Sequence, residues 1–172
     1  LVLRGYEPAD ASAIFLYAAD PETTQYMGWN RHTSLADAHV FLDCVVKPHY
    51  ERRELDYAIT VRTGEERVIG GIGVYWNPRE HRVMELGYIL AREHWGSGYV
   101  PEAGRALLRH AFASTDVERI FAPIFADNRK SRRAAEKLGL RLDGVLRSNR
   151  EVRGVRRDEA IYSILRVDLP TT

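Results

Sequence analysis

The chain has 172 residues, 45% hydrophobic and 28% charged, with a formal net charge of +1. That length suits one domain spanning residues 1–172, with a sizeable core and no need of disulfides or metals. The balance excludes a disordered chain, and it excludes a field of one sign that would draw the protein to nucleic acid or a membrane surface. The single cysteine, Cys44, cannot form an internal disulfide, and no signal peptide is recognisable at Leu1, so a cytoplasmic setting is expected. No apolar run approaches the roughly 18 residues that span a bilayer.

Leu1–Arg4 reads as a short strand. Pro8–Ala19 reads as a helix whose apolar face carries Ile14, Phe15, Leu16 and Ala18. Asp20-Pro21-Glu22 breaks it, and Gly28-Trp29-Asn30 is loop. A second helix is expected over Ser34–Lys47, opened by a capping-box-like Ser34/Asp37 pair, with Cys44 as a small core residue. Three strands follow, at Leu55–Val61, Val68–Trp76 and Val83–Leu90. Turns at Thr63–Glu66 and Asn77–Glu80 join them into an antiparallel meander. Gly70, Gly71 and Gly73 in the middle strand invite a bulge or a close backbone approach.

The period then changes. Gly98–Ala113 reads as a helix with Val100, Ala103, Leu107 and Ala111 on one stripe. Glu118–Phe125 is a strand, and Ser131–Leu138 a helix stopped by Gly139. Leu140–Asn149 and Glu159–Val167 close the chain as strands joined through a turn near Arg153-Gly154. The helix between the strands at 83–90 and 118–125 makes them parallel, so the sheet is mixed. Pro123 in mid-strand lacks a ladder donor, an objection that an unpaired position would remove.

Chemistry concentrates where the third meander strand gives way to a helix through Gly96-Ser97-Gly98. Such a bend gathers unpaired amides at the positive end of a helix dipole and suits a phosphate. A P-loop is excluded because Gly98 is followed by Tyr99 and Val100. A dinucleotide fingerprint is excluded because Pro101 holds the place of its third glycine. The six histidines show no metal-ligand spacing, so no metal is expected.

The run Trp95-Gly96-Ser97-Gly98-Tyr99 with Glu102-Ala103 resembles the coenzyme A signature of the GNAT superfamily. It most resembles the ribosomal-protein N-terminal acetyltransferases, the RimJ/RimL branch. Asp20-Pro21-Glu22 with Gly28-Trp29 is similar to the N-terminal part of that branch. Asn128-Arg129-Lys130-Ser131 with Glu136-Lys137-Leu138-Gly139 is similar to its second motif. Gly144-Val145-Leu146-Arg147, Asp158 and Tyr162-Ser163 are similar to its last strands. One position departs: Glu93 stands where the pattern usually has Gln or Arg, which suits an anion site only if its side chain points to solvent.

The resemblance implies an α/β (α+β) fold: one GNAT-like domain with a mixed, mostly antiparallel sheet, a splayed parallel strand pair and helices on both faces. It implies acetyl-CoA as co-substrate and a primary amine as acceptor, either a protein N-terminus or a small molecule such as a polyamine or aminoglycoside. Carried over, backbone groups of Ile89 and Leu90 meet the pantetheine, and Trp95, Gly96, Ser97, Gly98, Tyr99 and Val100 hold the pyrophosphate. Asn128 orients the pantetheine. Ser131 serves the leaving sulfur, with helix capping as its alternative, and Glu85 acts as base through a water. Trp29 lines the acceptor pocket or simply packs. Many relatives use a tyrosine as the acid, and the helix Ser131–Leu138 has none. A homodimer is compatible with this reading. Two other functions stand beside it: a non-catalytic acetyl-CoA sensor, and, less favoured, a nucleic-acid contact through Arg129, Lys130, Arg132 and Arg133.

Overall fold

The computed structural model describes residues 1–62 and 67–168; the expected turn at Thr63–Glu66 lies outside them. Seven strands form one sheet in the order β1-β2-β3-β4-β5-β7-β6. They are β1 (Val2–Arg4), β2 (Leu55–Thr60), β3 (Val68–Trp76), β4 (Val83–Leu90), β5 (Arg119–Phe125), β6 (Arg141–Val152) and β7 (Val155–Leu165). β1 to β4 are antiparallel neighbours, β5, β7 and β6 likewise, and the two halves meet through the parallel pair β4 and β5. The meander and the parallel crossover are as the residue pattern predicts.

The helices are α1 (Ala11–Ala18), α2 (Leu35–Phe41), α3 (Lys47–Glu51), α4 (Tyr99–Ser114) and α5 (Arg129–Lys137). On one face of the sheet, Ile14, Tyr17 and Ala18 of α1 and Ala38 of α2 pack with Ala58, Val68 and Ala91. On the other, Ala103, Leu107 and Ala111 of α4 and Ala135 of α5 pack with Ile72, Val74, Met84 and Leu86. Among the described residues no helix is long and apolar enough to cross a membrane.

The α1 stripe differs by one position from its prediction: Leu16 is 55% exposed, and Tyr17 is buried instead. Cys44 is exposed rather than a core residue. The cause lies downstream, at Pro48. It has no N–H for the carbonyl four residues earlier, and its ring would crowd that carbonyl. The helix widens into a π turn over Leu42–Val46 before continuing as α3. One extra residue in the turn moves the inward position from Val45, 39% exposed, to Val46, 2% exposed.

The closing hairpin is longer than predicted. β6 and β7 pair until Val152 meets Val155. The two turn residues, Arg153 and Gly154, have φ of 53° and 75°. Two positive φ values in succession make a type I′ turn, whose twist matches that of the strands and lets the ladder run to the tip.

The glycines of β3 mark a close approach. A Cβ on Gly70 would meet the Ile89 carbonyl oxygen and stand 2.9 Å from the Leu90 Cα. Both are backbone atoms of β4 and cannot swing aside. Gly70→Ala is expected to cost about 2 kcal/mol by overpacking, a fall of on the order of 6 °C in Tm. It should also weaken acetyl-CoA binding, because the displaced segment ends at Leu90. Thermal melts and calorimetry measure both.

Candidate active site

β4 and β5 pair only from Val83–Arg119 to Glu85–Phe121. Beyond that they diverge. The amide of Asn77 donates to Val83 and that of Ala91 to the Ile69 carbonyl. By antiparallel alternation, odd-numbered residues of β4 turn their backbone groups toward β3 and even-numbered ones toward β5. The amide of Ala126 donates to Asp158 and that of Arg166 to Glu118. The same alternation directs the backbone groups of Phe121, Pro123 and Phe125 toward β4. Pro123 therefore sits where a donor would have pointed into the divergence, and its missing N–H leaves nothing there to close it.

A cleft of about 730 Å³ opens at this point. Tyr88, Ile89 and Leu90 line it, as do the start of α4, the start of α5 and the loop around Thr23–Met27. Ile89 contributes its surroundings but not its amide, which faces β3; Leu90 is the residue whose amide faces the gap. The Leu90 carbonyl accepts from the Trp95 indole N–H at 2.7 Å. Trp95 thus caps the end of β4, and Lys130 lies over its ring at 4.1 Å.

Gly96 and Gly98 have φ of 80° and 79°. Their positions are open, so conformation rather than crowding calls for glycine. Among the described residues, nothing accepts from the amides of Gly96, Ser97 or Gly98. Tyr99 and Val100 follow in the first turn of α4, where amides have no intrahelical partner. Ser97 does not line the cleft, and Glu93 is exposed beside a smaller cavity that shares Thr23 and His94 with it.

α5 opens onto the same cleft. Asn128, not Ser131, is its N-cap: the Asn128 side-chain oxygen accepts from the Ser131 amide at 3.2 Å. The Ser131 Oγ lies 2.8 Å from the Tyr88 hydroxyl, which also donates to the Ser131 carbonyl at 3.0 Å. Burial pushes the Tyr88 phenol up to about 12, so it carries its proton at neutral pH. Tyr88 lies on β4, outside the runs that carry the family resemblance. The signal was a hydroxyl on the face that otherwise presents Met84, Leu86 and Leu90.

Arg129, Lys130, Arg133 and Lys137 border the cleft. Arg132 does not: its guanidinium donates to the Tyr162 hydroxyl and the Ala126 carbonyl. The basic run is therefore divided between a lining and a brace. Glu85 and Trp29 also fall outside the cleft lining. Glu85 lies three residues before Tyr88, about 10 Å along the strand. It shares the α1 and α2 face of β4 with Gly87 and Ile89, and its carboxylate accepts from Asn77 at 3.3 Å. Trp29 stands against His32 with ring centroids 5.4 Å apart. Among the described residues, no group of three or more His, Cys, Asp or Glu could hold a metal ion.

A diphosphate fits the unpaired amides at residues 96–100, a further phosphate fits the α5 cations, and an extended amide chain fits the unpaired strand edges. Those are the parts of acetyl-CoA. Residues 1–141 match the acetyltransferase (GNAT) domain model. The uncharacterised N-acetyltransferase YoaA of Bacillus subtilis is 32% identical over 96% of this chain and 93% of its own length. The ribosomal-protein-serine acetyltransferase of Escherichia coli is 30% identical over 48% of this chain and 46% of its own. A spermidine N-acetyltransferase from Vibrio cholerae, solved with CoA and spermine, shares the fold at a TM-score of 0.81 with 20% identity, covering 96% of this chain and 95% of that one. The chain belongs to the GNAT acetyltransferases, and it is an acetyl-CoA-dependent N-acetyltransferase.

Proposed function

We propose that this enzyme acetylates a primary amine by direct transfer in a ternary complex, and that the acceptor is a protein N-terminus, as in the RimJ/RimL branch. The observation that carries this reading is the meeting of two helix starts and an opened strand pair in one cleft. Acetyl-CoA supplies the acyl group as a thioester. The Leu90 amide, directed into the gap past the end of the β4–β5 pairing, polarises an acyl oxygen in this reading. In this reading Ser131 Oγ, bonded to the Tyr88 hydroxyl, passes its proton to the sulfur as the amine nitrogen bonds the acyl carbon and the C–S bond breaks; the proton shed by that nitrogen restores the hydroxyl, and CoA leaves as the thiol. Glu85 faces the α1 and α2 side of the sheet and takes the ammonium proton through water, since it lines no wall of the cleft. Holding both substrates in line accounts for much of the rate.

The acceptor reading rests on charge. The cleft's two lining carboxylates are already ion-paired, Glu22 with Arg92 and Asp127 with Arg157 at 2.7 Å. A polycation would find no unpaired acid among the described lining residues, since both carboxylates are paired. The fold shared with the spermidine enzyme makes a small polyamine the alternative.

Saturating acetyl-CoA, at about 100 times its Kd, should stabilise the protein by about 2.7 kcal/mol. Thiol release should then be at least tenfold more efficient with an N-terminal peptide than with spermidine. Glu85→Gln should lower kcat/KM at neutral pH by about two orders of magnitude. Faster turnover of spermidine would overturn the acceptor assignment. Binding without turnover of any amine would leave a sensor.

A further inference from the structure

Thr24–Trp29 forms one wall of the cleft, through Gln25, Tyr26 and Met27, yet belongs to no strand or helix. Its backbone hydrogen bonds are local: the amide of Thr24 donates to Asp20, Gln25 to Glu22 and Met27 to Thr24. The long-range hold on its backbone comes from the far end of the chain. The Arg153 guanidinium, at the tip of the β6–β7 hairpin, donates to the Trp29 carbonyl at 2.9 Å. It also reaches the Thr24 and Gln25 carbonyls at 3.4 Å. Arg157 on β7 adds a ring contact, its guanidinium 5.7 Å from the Tyr26 centroid.

The backbone at Arg153 makes this contact informative. Its φ of 53° is left-handed, at the first central position of a type I′ turn. That position favours Asn, Asp or Gly, and a long side chain there is strained. Turn chemistry alone would not select arginine. Arg53 and Arg82 hold the same conformation, so what sets Arg153 apart is that its guanidinium reaches three backbone carbonyls of one loop.

We propose that Arg153 is a positioning residue: it ties the Thr24–Trp29 wall to the hairpin tip and so sets the width of the coenzyme cleft. The proposal rests on the acetyl-CoA assignment of that cleft. It also gives Trp29 a part through its carbonyl rather than its ring.

Arg153→Asn separates this role from folding, because asparagine suits the turn at least as well. The Tm of the free variant should equal or exceed that of wild type. Hydrogen exchange at amides 24–29 should quicken at least tenfold, and the Kd for acetyl-CoA by calorimetry should rise threefold or more. Arg153→Lys, which keeps the charge but not the fork, should recover part of the affinity at most. Unchanged exchange, or a Kd within twofold of wild type in Arg153→Asn, overturns the proposal alone. Wild-type protein that binds no acetyl-CoA overturns the coenzyme assignment itself.

Discussion

Gly98→Asp should abolish acetyl-CoA binding at micromolar concentrations while leaving a folded protein. Gly98 caps α4 with φ of 79°. Aspartate is among the few side-chain-bearing residues that visit this conformation, so the cost to the fold should not exceed the roughly 1 kcal/mol expected of alanine. The cost to the ligand is larger. A carboxylate would stand among the amides that receive a diphosphate. Two unit charges about 4 Å apart at a protein surface repel by roughly 4 kcal/mol before salt screening. An affinity loss of two to three orders of magnitude is expected, and calorimetry measures it. Gly98→Ala provides the control. It restricts the backbone without adding charge, and should cost about 1 kcal/mol of stability and much less affinity. Equal losses from the two variants would show that conformation, not charge, governs the loop.

The legibility of this site follows from its chemistry. The 96–98 bend could be read in the chain because positive-φ glycines and a strand-to-helix switch are local signals. Pro123 could be read as an oddity whose only comfortable place was an unpaired edge, and the short β4–β5 pairing supplies that place. Tyr88 and Ser131 could not be joined in this way. They are 43 residues apart, and only the packing of α5 against β4 brings their hydroxyls together. The Arg153 tether, 124 residues from Trp29, was invisible for the same reason. The π turn was missed because Pro48 acts on the helix before it, shifting a stripe whose spacing looks regular. Glu85 was legible as a carboxylate on β4, but its distance from the cleft lining was not.

The second large effect is expected at the paired hydroxyls. Ser131→Ala should lower kcat by about two orders of magnitude, the scale of a positioned proton donor. The KM for acetyl-CoA should change little, because the serine amide still serves the Asn128 cap. Tyr88→Phe should lower kcat somewhat less. The double variant should be no worse than Ser131→Ala, since one hydroxyl acts through the other. The pH profile gives a second check. Burial raises the Tyr88 phenol to about 12, so the stability this group contributes is complete below pH 10 and is lost as the pH climbs through 12. No fall in kcat between pH 7 and 10 should trace to this group, and Tyr88→Phe should leave that part of the profile's shape unaltered. Additive losses, or a profile that shifts with Tyr88→Phe, would break the pairing.

Pro123 has a kinetic implication as well as a geometric one. A sheet whose two halves could zip together when vacant would have to be pried open by each arriving ligand, and association would slow to the pace of that opening. Here the seam lacks a hydrogen at the place where zipping would begin. The receptor is thus ready-made, and capture of the nucleotide should proceed in one step, its observed rate climbing linearly with concentration and never reaching a plateau.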